Sequence, residues 1–393
     1  MAIVKFVEVC EKIGSGATPR GGKEAYSDEG ISLVRSQNVL DFSFSSDGLV
    51  HINDEQAKKL KNVELHPDDV LLNITGDSVA RACIMDSSFL PARVNQHVAI
   101  VRGKKELVLN SYILYYLQWK KDYLLQLASA GATRNALTKG MIEQLDINLP
   151  SLTEQKRIVA VLDSIQQKIS VNKKINDNLQ QQAAAIFRSW FVDCAPFGGK
   201  APDEWENVTL EDITALVSRG ITPKYADDTD QIVINQKCIR NHTIDLSLAR
   251  THTPKIINEK WLRFGDLLIN STGDGTLGRA AQVWFQPKNL TVDSHVTIAR
   301  PAKENLIFYI GLWGILHEKE IESLHTGSTG QTELPRDRVK AMELLLPDNE
   351  TLDRFNGLIT PMAAAIVANQ EENNRLAALR DCLLYTSPSP RDR

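Results

Sequence analysis

Apolar positions along this chain alternate between two regimes of spacing. Val70–Ile74 and Leu267–Asn270 are short apolar runs stopped by Gly76-Asp77 and Gly273-Asp274, the pattern of a strand followed by a turn. His97–Val101 and His295–Ala299 carry β-branched residues in partial alternation and predict two more strands. Tyr112–Leu127 and Ile307–Leu316 instead space their apolar residues as helices do. From Ser151 the helical period takes over. Ser151-Leu152-Thr153-Glu154 fits a capping box, in which Ser151 accepts from the amide three residues on and Glu154 reaches back. Ile158, Leu162, Ile165, Ile169, Ile175, Leu179, Ala183, Ile186 and Trp190 then form one seam. Leu352, Phe355, Ile359, Met362, Ile366, Leu376 and Leu383 form a second, 197 positions later.

The chain is written twice. D-V-L-L-N-I-T-G-D at Asp69–Asp77 returns as D-L-L-I-N-S-T-G-D at Asp266–Asp274. V-N-Q-H-V-A-I-V-R at Val94–Arg102 returns as V-D-S-H-V-T-I-A-R at Val292–Arg300, with His97 opposite His295. Gly16-Ala17-Thr18-Pro19 matches Gly220-Ile221-Thr222-Pro223, and Leu149-Pro150 matches Leu346-Pro347. Two copies at so long a period are duplicated domains, because a solenoid needs shorter and more numerous repeats.

The fold class that follows is α+β: two similar units from an internal duplication, separated by two long helices. A helix over 151–190 would be roughly 58 Å long at 1.5 Å per residue, too long to bury within one small domain. Such helices pair, so the two copies are expected to form an antiparallel coiled coil. Polar positions recur in the seam, Asn172 with Asn369 and Asn176 with Asn373. Their amides either fix the register of the pair or face solvent. Pro361 interrupts the second seam, so that helix either bends there or begins beyond it.

Composition narrows the class. With 393 residues, 42% hydrophobic and 24% charged, the chain is an ordinary globular one of two or three domains. Cys10, Cys83, Cys194, Cys238 and Cys382 show no C-x-x-C pairing, and neither a signal peptide nor an 18-residue apolar run is evident. A reduced cytoplasmic setting is the natural reading. The net charge of −4 hides no strongly basic segment: residues 1–150 carry −1, 151–197 carry +2, 198–347 carry −3 and 348–393 carry −2. This argues against a nonspecific nucleic-acid binder but permits a specific one with a local basic stripe.

Catalytic signatures are missing. Gly16–Lys23 approaches a phosphate-binding loop, but its first glycine is one place early and Glu24 stands where Ser or Thr would hold magnesium. A Gly/Pro turn between strands is the better reading. No N-P-P-[YFW] or D-P-P-[YFW] segment clamps a flipped base, and no G-x-G-x-x-G follows a strand. Asp77 and Asp274 read as turn residues and not as nuclease carboxylates. His97 and His295, each alone in its strand, read as structural hydrogen-bonding residues and not as metal ligands.

Ala185-Ile186-Phe187-Arg188-Ser189-Trp190-Phe191-Val192-Asp193 closes the first predicted helix. It resembles the central region of type I restriction-modification specificity subunits, which carry an I-F-[RK]-S-W-F-V-D run. Leu149 to Ile158 is similar to that family's spacer-helix entry, and the G-x-T-P turns match its domain openings. The resemblance spans residues 10 to 384. It implies target-recognition domains at 1–150 and 196–347, a central spacer helix at 151–195 and a C-terminal spacer helix at 348–384. It also implies a chain without catalysis or cofactor of its own. Double-stranded DNA would be its ligand, read as an asymmetric bipartite target. Two methyltransferase subunits and the restriction/translocase subunits would be its partners, with S-adenosylmethionine, ATP and Mg held by them, away from any membrane. Two unequal readers on a spacer could address half-sites about one turn, ~34 Å, apart on one face of the duplex.

Reading base edges needs Arg, Lys, Asn and Gln on loops. Candidates in the first copy are Arg20, Lys23, Arg35, Gln37, Asn38, Arg81, Arg134 and Asn135. In the second they are Lys224, Asn235, Gln236, Lys237, Arg279 and Gln331. Ile158 through Ile186, with Asn172 and Asn176, and Phe355 through Leu383, with Asn369 and Asn373, are the candidate coiled-coil and docking positions. Trp190 and Phe191 either anchor a partner or pack on the neighbouring domain. The family's usual P-[KR]-L-x-x-G ending is replaced by Ser/Pro alternation, so 385–393 is expected to be a disordered, aberrant tail. Two rivals remain: a duplicated protein- or carbohydrate-binding scaffold on a coiled-coil spacer, and a standalone nuclease or methyltransferase with unfamiliar motifs.

Overall fold

The computed structural model describes residues 2–19, 25–129, 135–273, 275–327 and 332–386. The chain divides into two compact units, Met1–Ser170 with Asn373–Arg393, and Val171–Glu372. Each unit therefore takes a mixed α/β region together with part of both long helices.

In unit 1 an antiparallel sheet runs in the order Cys10–Ser15, Val98–Gly103, Val70–Asn73, Ala82–Ile84. A second sheet orders Val50–Ile52, Ile31–Val34 and Ala92–Val94, the last two parallel. Ala2–Lys5 pairs with Asp146–Leu149. The run Val70–Asn73 is buried along its whole length because both faces are covered. Val70 and Leu72 point into a core with Phe6, Ile113 and Leu117, whereas Leu71 points into one with Leu33, Val94 and Ile100. Burying each such leucine contributes about 1.5–3 kcal/mol.

Unit 2 repeats the plan. Its antiparallel sheet runs Thr214–Arg219, Val296–Pro301, Leu267–Asn270, Ala280–Gln282, and its second sheet orders Arg250–Thr251, Ile232–Ile234 and Leu290–Val292. Leu267 and Ile269 enter one core and Leu268 the other, as in unit 1. Glu206–Thr209 pairs with Glu343–Leu346.

The Gly-x-Thr-Pro echo has a steric cause. A Cβ on Gly16 would stand 1.7 Å from the Val94 carbonyl oxygen, and one on Gly220 would stand 1.9 Å from that of Val292. Each glycine lets the chain leaving the first strand of its large sheet pass against a strand of the small one.

The periodic segment 112–127 proves to be two helices, Asn110–Trp119 and Lys121–Ser129. Lys120 leaves helical geometry at ψ 11°, a one-residue break that periodicity cannot register. Ile307–Leu316 is helical as its spacing predicts.

The first long helix is Leu152–Phe191 and the second Asn349–Thr386. Ser151 Oγ accepts from Glu154 N at 3.3 Å. Within unit 1, Arg380 Nη1 donates to Gln166 Oε1 at 2.8 Å and Leu384 packs with Val159 and Leu162. Within unit 2, Asn172 meets Glu372, Asn176 meets Asn369 and Ile366, and Phe187 meets Phe355. In each unit one number rises as its partner falls, which is antiparallel pairing.

Every seventh residue, Leu162, Ile169, Asn176 and Ala183, is buried, flanked by Ile165, Asn172, Leu179 and Ile186. Ile158, Met362, Asn369, Asn373 and Leu376 are half-buried, while Phe355, Ile359 and Ile366 are fully so. Two seam assignments change. Ile175 is 42% exposed because Asn176 holds the heptad position, and Leu383 is 37% exposed because Leu384 turns inward. Asn172 and Asn176 do not face solvent. The second helix neither stops nor starts at Pro361, which lies on its exposed face, so the carbonyl of Gly357 that it leaves without a donor is turned toward water. The helix also continues through Tyr385 and Thr386, two residues into the segment expected as an irregular tail. Residues 387–393 lie outside the described residues.

Candidate nucleic-acid interface

Three segments converge beyond the end of one central strand in each unit. In unit 1, strand Val70–Asn73 runs into a turn in which Gly76 has φ +75°. Thr75 bridges to Ala136, and Gly76 N donates to Asn135 O at 3.2 Å. The buried Asn73 donates its amide to Ser36 O (2.9 Å) and Val39 O (3.2 Å), tying down the single-turn helix Ser36–Asn38. Unit 2 repeats this: Gly273 has φ +101°, Thr272 bridges to Glu333, and Asn270 donates to Gln236 O at 3.1 Å over the turn Gln236–Cys238.

The candidate base readers fall largely on these segments. Gln37 and Lys237 are exposed and occupy the same middle position of the two short turns. Gln37 Nε2 donates to Asp47 O and Gly48 O, both at 3.1 Å. Arg35, half-buried, donates to Gly48 O at 2.6 Å and lies 5.6 Å from the Tyr26 ring. Its counterpart Asn235 donates to Leu248 O at 3.1 Å. Gln236 accepts from Thr272 Oγ1 at 3.2 Å. Arg81 and Arg279 close the Thr-Gly turns, where their carbonyls accept from Asn73 N and Asn270 N. Arg279 also donates to Gly275 O at 2.6 Å. Asn135 is exposed beside the unit 1 turn.

Other candidates fall elsewhere. Asn38 is removed from the set: it has no solvent exposure, and its amide group is taken up by Arg35 N, Ser45 O and Asp47 O. Lys224 is exposed in a separate loop that bridges Tyr225 to His252. Arg20, Lys23, Arg134 and Gln331 lie outside the described residues, as does Asp274. Asp77 sits in the turn, exposed.

His97 and His295 stand just before their strands. Nδ1 of His97 lies 2.6 Å from Thr75 Oγ1, and Nδ1 of His295 lies 2.7 Å from Thr272 Oγ1. Each His carbonyl accepts from the strand end opposite, from Ile74 N and Ser271 N. Each His amide donates to the side chain two residues earlier, Asn95 or Asp293, at 2.9 Å. Burial pushes the Asp293 carboxyl above its ordinary range, while the His295 amide and imidazole pull it back. The sequence predicts a hydrogen bond for each histidine but identifies no partner. That partner is the Thr of the repeated T-G-D, present in both copies.

The repeated motifs also contain the residues that brace the opposite end of each sheet, a role their spacing does not signal. Arg102 holds the fully buried Asp69, and Arg300 holds the fully buried Asp266. Hydrogen bonding to Asp69 raises the Arg102 pKa.

Trp190 and Phe191 pack within unit 2. Phe191 lies 4.8 Å from Phe355 and 5.0 Å from Tyr309, ring to ring, and Trp190 lies 6.0 Å from Phe355. The aromatic run ending the first helix thus builds a core with the start of the second.

Cys10, Cys83, Cys194 and Cys238 are buried. Burial pushes the Cys10 and Cys83 thiols up to about 12, far from a nucleophile's range. Among the described residues, no group of three or more His, Cys, Asp or Glu is placed to hold a metal. No helix among them is long and apolar enough to cross a membrane.

Residues 1–181 match the family model described as type I restriction modification DNA specificity domain. The chain is similar to the type I restriction enzyme MjaIX specificity subunit of Methanocaldococcus jannaschii, 24% identical over 97% of this chain and 91% of the relative. It is 20% identical to the HindI specificity subunit of Haemophilus influenzae, over 90% and 92% of the two chains. To the EcoKI specificity subunit of Escherichia coli it is 21% identical, over 90% and 80%. Among solved structures, the S subunit of a type I restriction-modification system from M. genitalium shares its fold, with a TM-score of 0.55 at 11% identity over 98% of this chain and 94% of that one.

Proposed function

The chain belongs to the type I restriction-modification specificity subunits, and from that premise we propose how it reads DNA. Residues 1–150 and 196–347 each recognise one half of a split, asymmetric duplex target. Residues 151–195 and 348–384 serve as spacer helices on which two methyltransferase subunits dock.

The carrying observation is one frame with two sets of tips. Both units bring a short turn, a Thr-Gly turn and a third loop together beyond the same strand, yet Arg35 stands where unit 2 has Asn235, and Gln37 where it has Lys237. A shared scaffold with different donors and acceptors is what two readers of different sequences need. Arg81 and Arg279, common to both, suit the phosphate backbone, which is the same at either half-site.

On this reading the chain supplies recognition and its partners supply chemistry. S-adenosylmethionine belongs to the methyltransferase subunits, and ATP and Mg to the restriction/translocase subunits, in the cytoplasm. Methylome sequencing of cells expressing this chain with its cognate methyltransferase subunit tests the reading. Adenine marks in a split, asymmetric motif are expected; an unsplit or palindromic motif defeats the two-reader scheme.

A further inference from the structure

The Thr75–His97 and Thr272–His295 pairs are the most closely repeated polar feature of the two reading ends. The threonine follows the central strand, the histidine precedes its neighbour, and the two Oγ1–Nδ1 distances differ by 0.1 Å between units, 2.6 Å against 2.7 Å. The backbone on both sides of each histidine is hydrogen bonded, so the ring is fixed through its Nδ1 edge and its main chain. Among the described residues no carboxylate is hydrogen bonded to either ring, and Cys238, on the short turn of unit 2, is buried with its thiol pushed above its ordinary range, so nothing described makes this a proton-transfer device.

The opposite edge of each ring is the available one. His295 is exposed and His97 is half-exposed. His97 Nε2 lies 3.2 Å from Nε2 of the exposed Gln96, for which it is the acceptor, whereas unit 2 has Ser294 in that place. With the Gln96 amide turned to present its oxygen to Nε2 and the Gln236 amide turned to donate to Thr272 Oγ1, each threonine hydroxyl donates to Nδ1, and the ring proton sits on Nε2, directed outward.

Retention of this pair in both units bears on what it touches. Around it the side chains have diverged, Arg35 against Asn235, Gln37 against Lys237, Gln96 against Ser294. A group that reads base edges must change when the half-site changes. A group that grips the sugar-phosphate backbone need not, because every step of a duplex presents the same phosphodiester oxygens.

We propose that Thr75–His97 and Thr272–His295 form a duplicated phosphodiester-binding site. In it the threonine orients the imidazole, and the Nε2 hydrogen is donated to a backbone phosphate oxygen at each half-site. This rests on the chain's reading as a DNA-recognition subunit. The threonines are positioning residues, and the histidines make the contact.

The test uses the full chain in complex with its methyltransferase subunit and two probes: a duplex carrying the motif found by methylome sequencing, and a scrambled duplex of equal length. His97→Asn with His295→Asn keeps an amide near the Thr hydroxyl but deletes the outward donor. His97→Gln with His295→Gln places an amide where Nε2 was. The Asn pair should bind both duplexes more weakly by the same factor, about fivefold per site for one lost neutral hydrogen bond. The Gln pair should recover most of that loss, and the methylated motif should be the same throughout. A methylphosphonate scan of the target should find one position per half-site whose substitution weakens the parent and leaves the Asn pair unaffected.

Three results overturn the proposal: Asn variants that bind like the parent, a loss confined to the specific duplex, or a methylated motif changed at any base. Melting temperatures within about 2 °C of the parent keep a binding loss from being a folding loss. Should the Asn pair melt lower than that, Thr75→Val with Thr272→Val, which frees the ring while keeping its shape, must give the sequence-independent loss or the proposal falls. A parent complex that marks no split motif instead defeats the recognition reading itself, a separable outcome.

Discussion

Arg300 closes on Asp266 through two nitrogens, Nε to Oδ1 at 2.8 Å and Nη2 to Oδ2 at 2.7 Å, on a carboxylate with no solvent exposure. Two further donations, to Glu259 O and Trp261 O, both at 2.7 Å, bring four of the five guanidinium N–H groups into use. Arg102 and Asp69 repeat the arrangement in unit 1 at 2.5 and 2.6 Å. Removing one member leaves a buried charge without its partner, which costs about 3–5 kcal/mol. Arg300→Met should lower unfolding free energy by that amount in urea titration, and the double change Arg300→Met with Asp266→Leu should cost distinctly less. A double variant that cost the sum of the Arg300→Met and Asp266→Leu single changes would mean that the two side chains act independently.

Asn176 accepts from Asn369 Nδ2 at 2.8 Å and donates to Ile366 O at 3.3 Å, inside the helix pair of unit 2. Asn176→Leu strands the Asn369 amide and should cost about 1–3 kcal/mol. Asn176→Leu with Asn369→Leu should recover most of it, because two apolar groups pack where two amides were satisfied. Thermal melts of the single and double variants check this, and the double variant melting below the single one would count against it.

Duplication makes the architecture legible in the sequence alone. Val70–Asn73 and Leu267–Asn270 are apolar on both faces, and both units bury them along their whole length. Contacts set by three-dimensional convergence are not legible in the same way. Ile175 looks like a seam residue by hydrophobicity, but Asn176 holds the heptad position, and spacing alone does not rank an amide above an isoleucine. Asn38 resembles an exposed reader in composition, yet three backbone groups claim it, two of them seven and nine residues away across an irregular loop. Thr75 and His97 stand 22 residues apart in the chain, and only the sheet brings them together.

Glycine substitutions separate close approach from ordinary turn geometry. Gly16→Ala and Gly220→Ala each force a methyl group into a backbone carbonyl and should destabilise by more than about 2 kcal/mol, since neither neighbour is a flexible side-chain end. Gly140, in the short helix Lys139–Glu143, has nothing within 4 Å of a built Cβ. Gly140→Ala should stabilise by about 0.5–1 kcal/mol through helix propensity. Denaturant midpoints of the three variants provide the comparison.

Unit 2 contains a half-open cleft of about 580 Å³, lined in part by Phe187, Trp284, Leu312 and His242. His242 Nδ1 lies 3.3 Å from Glu318 Oε1, and this hydrogen bond raises the histidine pKa above 6.5 against the opposing effect of burial. A raised folded value means stabilisation that is fully present below the unfolded pKa and lost as pH rises through the folded one. The imidazole is 44% exposed, so solvent screening holds the effect below about 1 kcal/mol. The melting-temperature advantage of the parent over His242→Gln should therefore be largest near pH 5.5 and shrink toward about pH 8.5. Glu318→Gln should abolish that dependence; an advantage growing with pH would reverse the sign and refute the pairing.

Gln37 and Lys237 occupy one structural position, the exposed middle of a short turn tied down by Asn73 or Asn270. Alanine at either site removes a side-chain donor without touching a core. If each faces a base edge, Gln37→Ala should relax the methylated motif at one position of one half and leave the other half intact, and Lys237→Ala should do the converse. Each change is worth about 1–3 kcal/mol of discrimination, a factor of roughly 5 to 150 between bases at that position. The measurement is the methylome of cells carrying each variant with the methyltransferase subunit. On the proposed two-reader scheme the halves answer to separate units, so a single substitution that relaxed both would show that one turn governs the whole target. Uniformly weaker marking with an unchanged motif would reassign that residue to the phosphate backbone.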